Sequence, residues 1–111
     1  MKVIVFIFCV LFSCSISAEP TWHESKIDKI YPQGDGSVVL IFKNNNNECS
    51  HNKETKYYYI KVNQNGVNET GLNNMYSAAL TAAASGMNVT VNFESDSKAC
   101  YINRLSIQFD N

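Results

Sequence analysis

The residues best suited to covalent chemistry are Cys49 and the two histidines, His23 and His51. His51 lies two residues after Cys49, and a cysteine nucleophile needs a nearby histidine, a free thiolate and a third group that orients the histidine. In an exported chain, Cys49 is explained more simply as the disulfide partner of Cys100, because cysteines in an oxidising compartment usually pair. We therefore expect a Cys49–Cys100 disulfide and no cysteine–histidine catalysis.

Carboxylates are spread along the chain, and nothing in their spacing favours a pair of the kind that hydrolases use. The sequence contains no His-x-x-x-His, no Cys-x-x-Cys and no calcium-loop spacing. We expect a protein that is not an enzyme and that holds no metal and no cofactor. The acidic residues considered are Asp28, Asp35, Glu48, Glu54, Glu69, Glu94, Asp96 and Asp110.

Aromatic and amide side chains offer a different kind of chemistry, the recognition of sugars. Tyr57, Tyr59, Trp22 and Tyr31 accompany many asparagines, and aromatic rings stack on the apolar faces of pyranoses while amide and carboxylate groups bind their hydroxyls. The alternative is that these rings are ordinary packing on a β-sheet, where aromatic residues are enriched. Tyr57 and Tyr59 are the candidate sugar-binding residues.

The N-terminus has the pattern of a signal peptide. Lys2 precedes an apolar run, residues 3–12, which is followed by small residues up to Ala18. We expect residues 1–18 to be a signal peptide and residues 19–111 to form one small secreted or periplasmic domain. A minor alternative is a lipobox at residues 11–14, in which Cys14 would carry a lipid anchor.

Charge and hydropathy exclude several classes of partner. The chain has 9 basic and 10 acidic residues without a basic cluster, whereas nucleic-acid binding needs concentrated Lys and Arg. No apolar run approaches the roughly 20 residues that span a bilayer. We expect no nucleic acid and no integral membrane span.

The local patterns predict five strands and one helix. Residues 19–25 read as a loose lead-in, and residues 32–36, which include two glycines, form a strong turn signal. The order strand, strand, strand, helix, strand, strand is that of a mainly β fold, the five-stranded OB-fold barrel, although other small α+β sheets share this order. The predicted strands are 26–31, 37–43, 57–62, 88–94 and 101–109, and the predicted helix is 72–85.

The helix carries one apolar stripe and a second line of small residues. The second line is Ala78 and Ala82, which either reflects helix propensity alone or allows the close approach of another helix. On the second interpretation these two alanines form an oligomer interface. The stripe consists of Leu72, Met75, Tyr76, Ala79, Leu80 and Ala83.

Four segments together resemble short exported proteobacterial proteins similar to the B subunit of subtilase cytotoxin, an AB5 toxin. The resemblance extends over residues 26–109, and its most specific part is the helix pattern Tyr-Ser-x-x-Leu-x-x-x-x-Ser-Gly, which begins at Tyr76. The segments are Asp35 to Phe42, Tyr58 to Ile60, Met75 to Gly86 and Cys100 to Leu105.

This resemblance implies an OB-fold with a disulfide, a ring-shaped homo-pentamer and the binding of sialylated or related glycans. Asp35 and Ser37 then become candidate glycan- or receptor-binding residues, Ala78 and Ala82 face neighbouring helices, and a toxin A subunit is an implied partner. The alternative function is a periplasmic or secreted structural domain that binds another protein through a sheet edge.

Overall fold

The structure, a computed structural model, describes residues 20–49, 56–95 and 99–109. The predicted signal peptide, the lipobox cysteine Cys14 and His51 lie outside these residues, and those predictions stay predictions. The elements are β1 (Pro20–Pro32), β2 (Val38–Phe42), β3 (Tyr58–Ile60), α1 (Glu69–Ser85), β4 (Asn88–Glu94) and β5 (Ile102–Ile107).

The five strands form one sheet in the order β3-β2-β1-β4-β5, and each pair of neighbours is antiparallel. A parallel bridge between Tyr59 and Tyr101 joins the two end strands and closes the sheet into a barrel. Mainly β structure, this strand order and a helix between the third and fourth strands define the OB-fold. The predicted fold class is therefore confirmed.

The first strand is longer than predicted. The prediction of a loose lead-in is wrong for residues 20–25, which belong to β1. Residues 20–26 pair with β4, whereas the second half of β1 pairs with β2 after a register shift between Ile27 and Lys29. Bulges of this kind bend strands at barrel corners. The first half was missed because its core-facing residues include His23 and Ser25, which are polar although Ser25 is buried.

Aromatic rings fill the centre of the barrel around Tyr58. Its ring lies 4.9 Å from that of Phe42 and 5.2 Å from that of Phe93, both in edge-to-face arrangements, and His23 stacks 5.9 Å away. Burial raises the pKa of the Tyr58 hydroxyl, whose oxygen accepts a bond of 3.0 Å from the backbone N–H of Asn46. The alternating residues Val89, Val91 and Phe93 of β4 face inward and are all fully buried.

The helix packs against β1, β4 and β5, and its ends follow from its capping residues. The Asn68 side chain accepts from the backbone N–H of Gly71, so α1 begins at Glu69, three residues before the predicted start. Gly86 ends it in the left-handed conformation, with φ 66°. Among the described residues, no helix is long and apolar enough to cross a membrane.

Two residues of the predicted apolar stripe of α1 lie on the surface instead. Leu80 is 44% exposed and Ala83 is exposed as well. Phe109, at the end of the predicted fifth strand, is 63% exposed because β5 ends at Ile107. The helical residues that are buried are Leu72, Ala79 and Ala82. The face of α1 that meets the barrel is therefore rotated relative to the predicted stripe.

The predicted disulfide is confirmed. Cys49 and Cys100 are bonded, both are buried, and their Cα atoms are 5.7 Å apart. The bond joins the segment that follows β2 to the residue just before Tyr101, where the barrel closes.

Candidate functional site

The loop between β1 and β2 holds a carboxylate in a fixed position. Oδ1 of Asp35 accepts from the backbone N–H of Ser37 at 3.0 Å, and the Ser37 hydroxyl lies 2.6 Å from the same oxygen. Gly36 between them has φ 89°, a conformation that favours glycine. A hydrogen bond of 2.8 Å from the backbone N–H of Gln33 to the backbone carbonyl of Ser37 closes the loop.

The bonds from Ser37 lower the pKa of the Asp35 carboxyl below its ordinary value, with the side-chain bond as the main cause. Ser37 itself is only 2% exposed. A ligand in solution therefore meets the carboxylate rather than the serine hydroxyl, and Ser37 orients Asp35 and favours its ionised form.

Three chain segments converge beside this loop on an open depression of about 310 Å³. The β1–β2 loop supplies Asp35, β3 and the residue after it supply Tyr59 and Lys61, and the turn before β5 supplies Tyr101. The remaining lining residues are Gln33, Ser37 and Ala99. The depression thus combines a carboxylate, an ammonium group and two aromatic rings.

The two charges in the depression neutralise each other only partly. Nζ of Lys61 lies 3.9 Å from Oδ2 of Asp35, and both side chains are about half exposed. An exposed pair at this separation contributes little to stability. Both groups therefore remain available to a polar ligand, the carboxylate as an acceptor and the ammonium group as a donor.

The wall that carries Tyr101 is fixed by several backbone interactions and by the disulfide. The backbone carbonyl of Tyr101 accepts from Glu94 at 3.1 Å and from the Asn65 side chain at 2.9 Å. The adjacent Cys100 has φ 46°, a left-handed conformation that costs a non-glycine residue about 1 kcal/mol. Its carbonyl accepts from the N–H of Tyr59.

The predicted site residues separate into two groups. Asp35, Ser37 and Tyr59 line the same depression, whereas Tyr57 lies in a neighbouring one, of about 410 Å³, with Tyr31 and Val39. The sequence analysis did not assign Lys61, Tyr101 or Gln33 to the site. Strand alternation does place Lys61 on the same face as Tyr59, but only the barrel closure brings Tyr101 there.

The predicted interface alanines also differ from each other. Ala82 is 0% exposed because it packs into the core of its own chain, so it has no surface to offer to a second copy. Ala78 is partly exposed, and its role as an interface residue stays a prediction. Among the described residues, no cluster of three or more His, Cys, Asp or Glu is arranged to hold a metal ion.

The described chain is thus a closed five-stranded barrel with a helix between β3 and β4 and a disulfide near the closure. A search of solved structures gives the cholera toxin-like B-subunit from Citrobacter freundii, with a TM-score of 0.61 over 80% of this chain and 86% of that chain. The sequence identity is 13%, so the similarity concerns the fold. No protein-family model and no curated protein matches the chain.

Proposed function

We propose that this protein is an exported, non-catalytic binding module that recognises a glycan or a glycosylated surface receptor through the depression around Asp35. The observation that carries the proposal is the convergence of Asp35, Lys61, Tyr59 and Tyr101 from three chain segments. The β2–β3 face of the OB-fold, together with its β1–β2 and β4–β5 loops, is the usual place where it binds oligosaccharides. The toxin B-subunit fold supports the same proposal.

Each group in the depression has a role that suits a sugar. The ionised Asp35 carboxylate accepts bonds from sugar hydroxyls, and hydrogen bonds to a charged group are about twice as strong as neutral ones. The rings of Tyr59 and Tyr101, 6.2 Å apart, provide apolar surface for a pyranose face. Lys61 can pair with the carboxylate of an acidic sugar such as sialic acid.

The depression is open, so a single site of this kind binds weakly. Several copies in one assembly would raise the overall strength of attachment to a surface with many glycans, because the second and later contacts are intramolecular. The proposal therefore includes a homo-oligomer, a pentamer by analogy with AB5 toxins, and a toxin A subunit as a further partner. Light scattering on a sizing column measures the native mass.

A glycan array tests the proposed function directly. The wild-type protein is compared with Asp35→Asn, which keeps the acceptor oxygen for Ser37 but removes the charge, and with Asp28→Asn, an exposed carboxylate elsewhere on β1. We expect Asp35→Asn to bind about tenfold more weakly or worse, and Asp28→Asn to bind like wild type. An array on which wild type binds no glycan refutes the proposal, and so does equal binding by all three proteins.

A further inference from the structure

Four tyrosines form a continuous row on the outer surface of the barrel. The ring of Tyr31 lies 6.5 Å from that of Tyr57, Tyr57 lies 6.5 Å from Tyr59, and Tyr59 lies 6.2 Å from Tyr101. Neighbouring rings are inclined by 59° to 67°, the tilted and edge-to-face geometry that aromatic pairs prefer. We call these residues the tyrosine row.

Val39, which lies beneath the tyrosine row, holds the row in place. Val39 pairs with Tyr31 on one side and with Tyr59 on the other, so all three side chains are on the same face of the sheet. Val39 is only 1% exposed, yet it does not belong to the core inside the barrel. The tyrosine rings therefore pack over Val39, which fixes their positions before any ligand binds.

The row runs across the strands from β1 to the start of β5, and it links two depressions. One end, at Tyr59 and Tyr101, is the depression around Asp35, and the other end is the depression that contains Tyr31 and Tyr57. Gln33 lines both of them. The surface available to a ligand is therefore longer than the site of the proposed function and continuous with it.

The composition of this surface favours a sugar chain over a protein segment. The hot spots of protein interfaces, Tyr among them, lie in well-packed and fully desolvated pockets, whereas the tyrosine row lies along two open depressions and only Tyr31 in it is strongly exposed, at 42%. Each ring carries a hydroxyl, and polar groups of Gln33, Asp35 and Lys61 border the row. A narrow line of rings with polar edges matches the alternating apolar faces and hydroxyls of an oligosaccharide.

We propose that the tyrosine row extends the binding site, so that the preferred ligand is a linear oligosaccharide whose terminal sugar lies at Asp35 and whose following units lie over Tyr57 and Tyr31. This inference rests on the proposed function. It adds that affinity increases with the length of the glycan and that Tyr31, at the far end, contributes only to the longer ligands.

Isothermal titration calorimetry with glycans of increasing length tests the inference. The probes share a sialic acid terminus: sialyl-galactose, sialyllactose and sialylated lacto-N-neotetraose, or the same three lengths with another terminal sugar where the array identifies one. The proteins are wild type, Tyr31→Ser, Tyr31→Leu and, as a matched control, Trp22→Ser. Leucine still covers Val39 but lacks the flat ring, and Trp22 is an exposed aromatic on the other half of β1.

We expect wild type to bind the longest glycan about three- to tenfold more tightly than the shortest. Both Tyr31 variants lose this gain and keep the affinity for the shortest glycan, and Trp22→Ser behaves like wild type. Length-independent affinity in wild type overturns the extended site but leaves the proposed function in place, and so does an unchanged length gain in Tyr31→Leu. If no probe or array glycan binds, the proposed function and the inference both fail.

Discussion

Replacing both Cys49 and Cys100 with alanine is expected to lower the free energy of unfolding by about 4 kcal/mol. The disulfide joins residues 51 positions apart, and closing a loop of this length in the unfolded chain corresponds to roughly that value in the chain-entropy model. Small domains have net stabilities of about 5–15 kcal/mol. Because each kcal/mol shifts Tm by about 4–8 °C in a domain of this size, Tm should fall by about 15–30 °C.

Urea unfolding at pH 7 measures this loss, with reduced wild type as the matched control for the double variant. Both cysteines are at most 1% exposed, so the protein must be unfolded before a reductant can reach the bond. The reduced protein keeps every side-chain atom of wild type and lacks only the covalent link. We expect the midpoint to fall by about 1.5–4 M urea in both samples.

A loss below about 1 kcal/mol in the reduced protein would refute this reasoning, since it would mean that the bond does not restrict the unfolded chain. A loss seen only in the alanine variant would point to packing of the two sulfurs rather than to loop closure.

The same samples test the candidate binding site. Cys100 precedes Tyr101 in the wall of the depression, so glycan affinity should fall in protein that has been reduced and then refolded.

Three further predictions follow from single residues. Ser37→Ala removes the hydroxyl bond, the main cause that lowers the pKa of Asp35 from its ordinary value of 3.8, and leaves the backbone N–H bond in place. The stabilising contribution of the carboxylate is present above the unfolded-state pKa and is lost as pH falls through the folded-state pKa, so in the variant it is smaller and is lost at a higher pH. A ¹³C NMR titration of Asp35 detects the higher pKa. Gly86→Ala should cost about 1 kcal/mol in thermal unfolding because φ is 66°, whereas Gly34→Ala, with no atom within 4 Å of the added Cβ and no left-handed φ, should change stability by only a few tenths of that. If the proposed oligomer packs through the helix, Ala78→Glu should lower the native mass in light scattering, and an unchanged mass removes Ala78 from the interface.

The element order could be predicted because most elements have clear periodicities. Strict alternation in β4 and the Gly86 end of α1 are signals that act locally, whereas the Asn68 cap at the start of α1 was missed. The first half of β1 could not be predicted in this way, since its inward residues His23 and Ser25 are polar. They are satisfied by distant groups: the His23 ring contacts the carbonyl of Asn44, and the N–H of Asn44 donates to Ser25 at 3.1 Å.

The site was predicted in part. A residue could be assigned to it when local sequence patterns place it there, but not when only the closure of the barrel does. Asp35 and Ser37 share one loop, and Tyr59 lies on a strand with a readable face, so local patterns suffice. Tyr101 enters the site only through the parallel bridge to Tyr59, which no short-range pattern encodes. Ala82, by contrast, was assigned to an interface and is buried in its own chain. The direction in which α1 faces the barrel decides whether a small residue is buried or available to a second copy.

The second strand explains why one set of tyrosines can serve both packing and binding. All five residues of β2 are buried, and a strand that is apolar on both faces needs a cover on each. The barrel interior covers Val38 and Leu40, whereas Val39 on the outer face is covered by the rings of the tyrosine row. A substitution that removes a ring therefore exposes Val39 and also removes a surface for sugar stacking. Only a replacement such as Tyr31→Leu, which keeps the cover and removes the flat ring, can separate the two contributions, and unchanged stability together with lost length dependence is the result that assigns the ring to binding.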